Sequence, residues 1–230
     1  MSFPVPNADS DGDAEHSRAI VSFCHSKNQG IAMTQARHLR AGNHTTALVV
    51  LDLISDFRFP DGAKLLRAAL PVARRVRQLR RRAKATGMPV IYINDNLGRW
   101  LSDRHDLLKH CLSNRSRGKA LVQLIAPEDD DYFIFKPKHS GFFATPLAEL
   151  LQESFIKRLI LTGTTSHQCV LFTAMDAYVR DFEIIVPRDC IASPSVSETQ
   201  HALFVLKRAL RARTPLAASL RFGAKRGNAK

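Results

Sequence analysis

Three residues in this chain pair a reactive side chain with a position just after a short apolar run. Asp52 follows Ala47-Leu48-Val49-Val50-Leu51 and Lys136 follows Tyr132-Phe133-Ile134-Phe135. Cys169 follows Arg158-Leu159-Ile160-Leu161-Thr162 by way of the turn Gly163-Thr164-Thr165-Ser166-His167-Gln168. Such runs are the pattern of strands buried on both faces of a parallel sheet. A carboxylate closing a buried strand is costly unless it is paired or catalytic; the plainer role for Asp52 is a cap or a structural ion pair. Asp56 falls in the following turn and is expected to be solvated. A lysine at a strand end can set a fixed positive charge beside a nucleophile. The plainer role, an exposed surface lysine, suits Lys138. A cysteine that follows a strand and a turn and opens a helix meets unpaired N–H groups and partial positive charge. These favour thiolate over thiol and can hold an oxyanion. The arrangement is that of a nucleophile elbow with sulfur in place of oxygen. The alternative for Cys169 is a small buried hydrophobe.

The elements that must position these groups alternate. Strands are expected at 47–51, 90–94, 132–135, 158–162 and 182–186, with a short sixth at 215–220. Between the first two, Leu65, Ala69, Val72, Val76, Leu79 and Ala83 recur in steps of three and four, one face of an amphipathic helix that Pro71 starts or kinks and Gly87 and Pro89 end. Further helices are expected over 103–111, from Thr145-Pro146 through 151, over 169–180, and over 197–211 with Ser197 as cap; 114–119 reads as a polar loop. Alternation of this kind predicts an α/β fold: a Rossmann-like, three-layer α/β/α arrangement with a mainly parallel sheet. Active sites in such folds lie beyond the carboxyl ends of the strands, where Asp52, Lys136 and Cys169 stand.

The chain has 230 residues, 45% of them hydrophobic, enough for one domain with a sizeable core. Residues 1–44 lack periodicity and read as a loosely docked or disordered extension, 45–222 as the folded domain, and 223–230 as a basic tail. No apolar run approaches the roughly 20 residues of a membrane helix, and the acidic N-terminus is unlike a signal peptide. A cytoplasmic protein is expected. Its four cysteines, Cys24, Cys111, Cys169 and Cys190, show no CxxC spacing and should be free thiols. The net charge of +13 could attract nucleic acid or anionic substrates. The basic runs at 64–84 and 207–230 are not interleaved with base-stacking aromatics, however, and read as a solvated helix face and a tail. The expected partners are a small-molecule substrate and further copies of the chain, with neither membrane nor nucleic acid.

Three segments together resemble one family. Leu48-Val49-Val50-Leu51-Asp52 through Asp56-Phe57 resembles the opening "vvDxxxDF" of isochorismatase-like hydrolases, and Lys136-Pro137-Lys138-His139-Ser140-Gly141-Phe142 their "KxxxSaF". The stretch from Thr162 through Cys169-Val170 to Ala177 resembles their "tGxxtdxCVxxTaxdA". The resemblance spans about 45–213. It implies about six parallel strands and a triad: Asp52 as general base, Lys136 as electrostatic partner and Cys169 as nucleophile. It also implies a cis peptide at Thr164-Thr165 that aims the N–H groups of Thr165 and Cys169 at an oxyanion. His167 departs from the family pattern and is expected to cap or pack. Metal-dependent nicotinamidases carry an aspartate–histidine cluster after the second strand, where this chain reads Asn94-Asp95-Asn96-Leu97-Gly98-Arg99-Trp100. With no histidine there, no metal and no cofactor are expected.

These residues suggest cysteine-dependent hydrolysis of a small amide or related C–N bond through a thioester. Phe57, Trp100, His139 and Phe142 are candidates for the pocket wall. The rival readings are a vinyl-ether hydrolase or a catalytically silent binding protein of the same fold, and a nucleic-acid-binding module that uses the arginine-rich helix.

Overall fold

The computed structural model describes residues 44–95, 98 and 103–222. Trp100, Cys24, the basic tail and all of the expected extension except His44 lie outside the described residues. Within them, six strands form one sheet: β1 (Thr46–Leu51), β2 (Val90–Asp95), β3 (Tyr132–Lys136), β4 (Arg158–Thr164), β5 (Glu183–Ile185) and β6 (Ile191–Ala192). The order is β3-β2-β1-β4-β5, with β6 also paired to β4, and every pairing is parallel. β5 pairs with the first half of β4 and β6 with its end, so two short strands share one edge.

Strand β1 is wholly buried and its side chains alternate between two apolar layers. Leu48 and Val50 face one core, shared with helices α1 (Gly62–Ala85), α2 (Arg104–Cys111) and α3 (Lys119–Ile125). Ala47, Val49 and Leu51 face the other, shared with α4 (Leu147–Glu153), α5 (Leu171–Tyr178) and α6 (Val196–Arg208). The result is the three-layer α/β/α arrangement with a parallel sheet that the alternation predicts.

Several boundaries differ from expectation, each for a local reason. Helix α1 begins nine residues before Pro71 and runs through it. Pro71 sits on the solvent side, so the Arg67 carbonyl that loses its partner can be served by water while Ala69, Val72 and Val76 hold the buried face. Helix α6 is capped by Ser195, not Ser197: Ser195 Oγ accepts from the Glu198 N–H, and Glu198 accepts from the Ser195 N–H in a full capping box. Helix α3 is seven residues long, and its buried set of Leu121, Val122 and Ile125 is too brief for periodicity to reveal. The expected strand at 215–220 is a 3₁₀ turn (Ala217–Ser219), and the sixth strand is Ile191–Ala192.

The chain runs outward from β1 to β2 and β3, then returns to lay β4 on the other side of β1. Ends of β1 and β4 therefore flank the switch point at which α/β sheets bind ligands. Close approach there requires glycine: Gly163 has φ +117, and a Cβ on it would lie 1.9 Å from the Leu51 carbonyl oxygen. Gly163→Ala is expected to cost well over 1 kcal/mol in urea denaturation, because both the conformation and the space exclude a methyl group. A midpoint equal to that of the parent would refute this packing.

Candidate active site

Asp52 is the first residue past β1, and its backbone adopts φ 48, which turns the chain out of the sheet. Its N–H still donates to the Ile93 carbonyl at 3.0 Å, and its carbonyl accepts from Thr164 Oγ1 at 2.9 Å. The Asp52 backbone is thus tied to β2 on one side and β4 on the other. Its Oδ1 accepts from the Asp95 N–H at 2.7 Å, and its Oδ2 stands 2.7 Å from the Lys136 ammonium. Lys136 closes β3, two strands away, in register with Asp95. It reaches across the end of β2 and also donates to Cys169 Sγ at 3.5 Å. The structure thus brings all three residues together at the carboxyl ends of their strands.

Cys169 lies in a single π-helical turn (Ser166–Val170) that leads directly into α5. The turn is closed by the N–H groups of Gln168 and Val170, which both donate to the Thr165 carbonyl, at 3.3 and 3.1 Å. The Thr164–Thr165 peptide is cis. His167 binds this turn to the start of α6: Nδ1 lies 2.8 Å from Ser193 Oγ, and Nε2 is 3.9 Å from Glu198.

The electrostatics differ from the thiolate expected at a helix start. The Lys136 side chain is only 2% exposed. Burial works against its charge, but the attraction of Asp52 outweighs that and holds it above the usual lysine range. Burial raises the Asp52 carboxyl, against the opposing pull of Lys136. Burial and then the adjacent Asp52 charge push the Cys169 thiol up to about 12, despite Lys136. The lysine charge already has a carboxylate partner, and a second buried anion beside it would be uncompensated. Of the two acidic groups beside Lys136, the thiol is therefore the one that stays protonated. Cys190, buried on β4's edge beside Asp189, is also raised to about 12, and Cys111 is buried in the core.

Of the residues expected to wall the pocket, Phe57 and Phe142 lie in opposite cores. Phe57 has no exposed surface and packs among the α1–α3 core, with its ring against Phe59 and the backbone of Gly118. Phe142 is buried on the other side of the sheet, against Phe182 and beneath the Arg180 guanidinium. Both are core side chains, a correction that follows from the apolar layers on each face of the sheet. His139 is exposed, its ring 5.5 Å from Phe172.

Sequence reasoning passed over Asn94. This buried amide accepts from the Ile54 N–H at 3.1 Å and donates to the Ile54 carbonyl at 2.8 Å, pinning the loop that follows Asp52. Its signal was present: it is a polar residue ending a buried strand, as Asp52 is. The same bonds make it a poor metal ligand. Among the described residues no three His, Cys, Asp or Glu side chains are grouped to hold a metal ion.

The chain is similar to known proteins of one family. The isochorismatase domain model matches residues 46–216. The isochorismatase family protein YaaI of Bacillus subtilis strain 168 is 40% identical over 164 residues, which is 71% of this chain and 90% of that protein. A ureidoacrylate amidohydrolase, RutB of Methylorubrum extorquens, is 28% identical over 170 residues, 63% of this chain and 68% of its own length. Among solved structures, the N-carbamoylsarcosine amidase of Thermoplasma acidophilum superposes with a TM-score of 0.59 at 24% identity over 77% of this chain and 99% of that one, a likeness of fold. With the domain model spanning the whole sheet and the strand-end residues in place, the chain belongs to the isochorismatase family of hydrolases.

Proposed function

We propose that this protein hydrolyses a small amide or related C–N bond through a thioester on Cys169. The observation that carries the reading is the convergence of Lys136 Nζ on Asp52, at 2.7 Å, and on Cys169 Sγ, at 3.5 Å. Relatives named as an amidohydrolase and an amidase support the bond type.

In this reading, Asp52 takes the thiol proton as sulfur attacks the substrate carbonyl carbon. The new S–C bond places negative charge on the carbonyl oxygen. The N–H groups of Thr165 and Cys169, which are not the donors that close the π-turn, would receive that charge. Collapse of the adduct breaks the C–N bond, and protonated Asp52 returns its proton to the leaving amine. A water molecule, giving its proton to Asp52, then releases the acid and restores the thiol. Lys136 keeps the site's charge constant throughout: one negative charge moves between Asp52, sulfur and the oxyanion beside a permanent ammonium. Because the thiol is not ionised at rest, attack and proton transfer to Asp52 must be coupled.

Cys169→Ala is expected to abolish turnover of a panel of simple amides and ureido acids. Retained turnover would point instead to a hydrolase of another bond type that dispenses with sulfur. Asp52→Asn should lower kcat by about 100- to 10,000-fold, the usual contribution of a general base. In the same variant, iodoacetamide should modify Cys169 at lower pH than in wild type, because the neighbouring negative charge that raises the thiol is gone. Lys136→Met should shift that alkylation profile upward. Opposite shifts, read by peptide mapping across a pH series, would contradict the charge assignment.

The pH dependence follows from Asp52. Its carboxyl is raised, so the proton acceptor is filled as pH falls through a value above the ordinary aspartate 3.8. The acid limb of kcat/KM should have its midpoint above that value, and a midpoint at or below it would exclude Asp52 as the base. Prolonged dialysis against a chelator should leave activity unchanged.

A further inference from the structure

At the amino-terminal edge of the sheet, opposite the triad, lies a cavity of about 290 Å³. Thr46, which opens β1, lines it, whereas Asp52 follows the other end of that strand. At about 3.3 Å per residue the two sites are about 20 Å apart. One wall is the sheet side, with Met88, Ile160 and Ile185; the other is the carboxyl-terminal strap, with Pro215, Leu220 and Phe222.

The strap is held at this height by anchors outside the cavity. Arg82 of α1 donates to the Ala217 carbonyl at 2.9 Å and to the Leu220 carbonyl, and its guanidinium lies 5.2 Å from the centre of the Phe222 ring. The Ala217 N–H donates to Asp189 at 2.8 Å. Tied at several points, the strap leaves a slot of mixed apolar and polar lining beneath it.

Arg158, Arg213 and Arg221 line the same slot. Of the described carboxylates only Glu183 pairs with any of them, at 2.5 Å from Arg158 and 3.5 Å from Arg213. Three guanidiniums against one carboxylate leave a surplus of positive charge beside apolar walls. Guanidinium forks match carboxylates in geometry, and the apolar side chains beside them, Met88, Ile160, Ile185, Leu220 and Phe222, can cover the body of a small ligand. We infer that this slot is a second binding site, separate from the triad, for a small carboxylate with a flat apolar body.

The test is methyl-detected NMR of the full chain, titrated separately with benzoate, benzylamine and acetate. Benzoate should shift the methyl signals of Met88, Ile160 and Ile185 saturably, benzylamine should not, and acetate should bind at least tenfold more weakly for want of an apolar body. The double variant Arg213→Glu/Arg221→Glu should weaken benzoate at least tenfold. Should it fail to fold, Arg221→Gln should weaken it about threefold; among the described residues the Arg221 side chain makes one long bond, 3.5 Å to the Ala218 carbonyl. Unmoved methyl signals, equal binding of benzylamine, or unchanged affinity in a folded variant would overturn the assignment.

Discussion

A single buried ammonium sets the terms for everything around it. The Lys136 side chain is almost wholly enclosed, so its charge persists only because the fold supplies a counter-charge within hydrogen-bonding distance. Asp52 is that counter-charge, and one lysine can balance one anion. The site therefore holds Asp52 ionised or Cys169 ionised, with one proton shared between them. The ammonium is less an activator of the thiol than a constraint on how many negative charges the site can carry.

That constraint explains the backbone around the site. Asp52 must leave the sheet at once to present its carboxylate over the end of β2, hence its left-handed conformation and its ties to Ile93 and Thr164. Asn94 then clamps Ile54 from both sides, so the chain after Asp52 has little freedom. On the other side of β1, Gly163 passes against the Leu51 carbonyl and delivers the π-turn that carries Cys169. A site built from the ends of three strands and one turn inherits the rigidity of the sheet, as productive geometry within about 0.5 Å requires.

The two edges of the sheet contrast. At the carboxyl edge, charges are paired and their number is limited by burial. At the amino edge, three arginines share one carboxylate around a slot of mixed lining. Part of the net charge of +13 is thereby accounted for locally. Elsewhere the basic run of α1 is only partly a solvated face: Arg67, Arg74, Arg77 and Arg81 lie on its exposed side, whereas Arg80 is buried against Tyr92 and Glu128 and Lys84 pairs with Glu128 and Asp131.

Much of this was legible in the chain itself. Apolar runs of four or five residues marked the longer buried strands because a parallel sheet covered on both faces admits little else, and the residue after such a run stands at the sheet's carboxyl edge. Asp52 and Lys136 stand out on that ground, and Cys169 by the turn and helix start that follow its run; the family resemblance is what joins the three. Aromatic residues close to them in sequence could not be assigned so simply: Phe57 and Phe142 lie near the motifs but point into opposite cores, since side-chain direction depends on the turn each segment makes after its strand. The protonation state also lay beyond the sequence. A helix start and a lysine argue for thiolate, and only the folded arrangement, with Asp52 already claiming the lysine charge in a buried setting, reverses that to thiol. Local pattern determined which residues reach the site; burial and the count of neighbouring charges, which exist only once distant strands are side by side, decided what state they hold there.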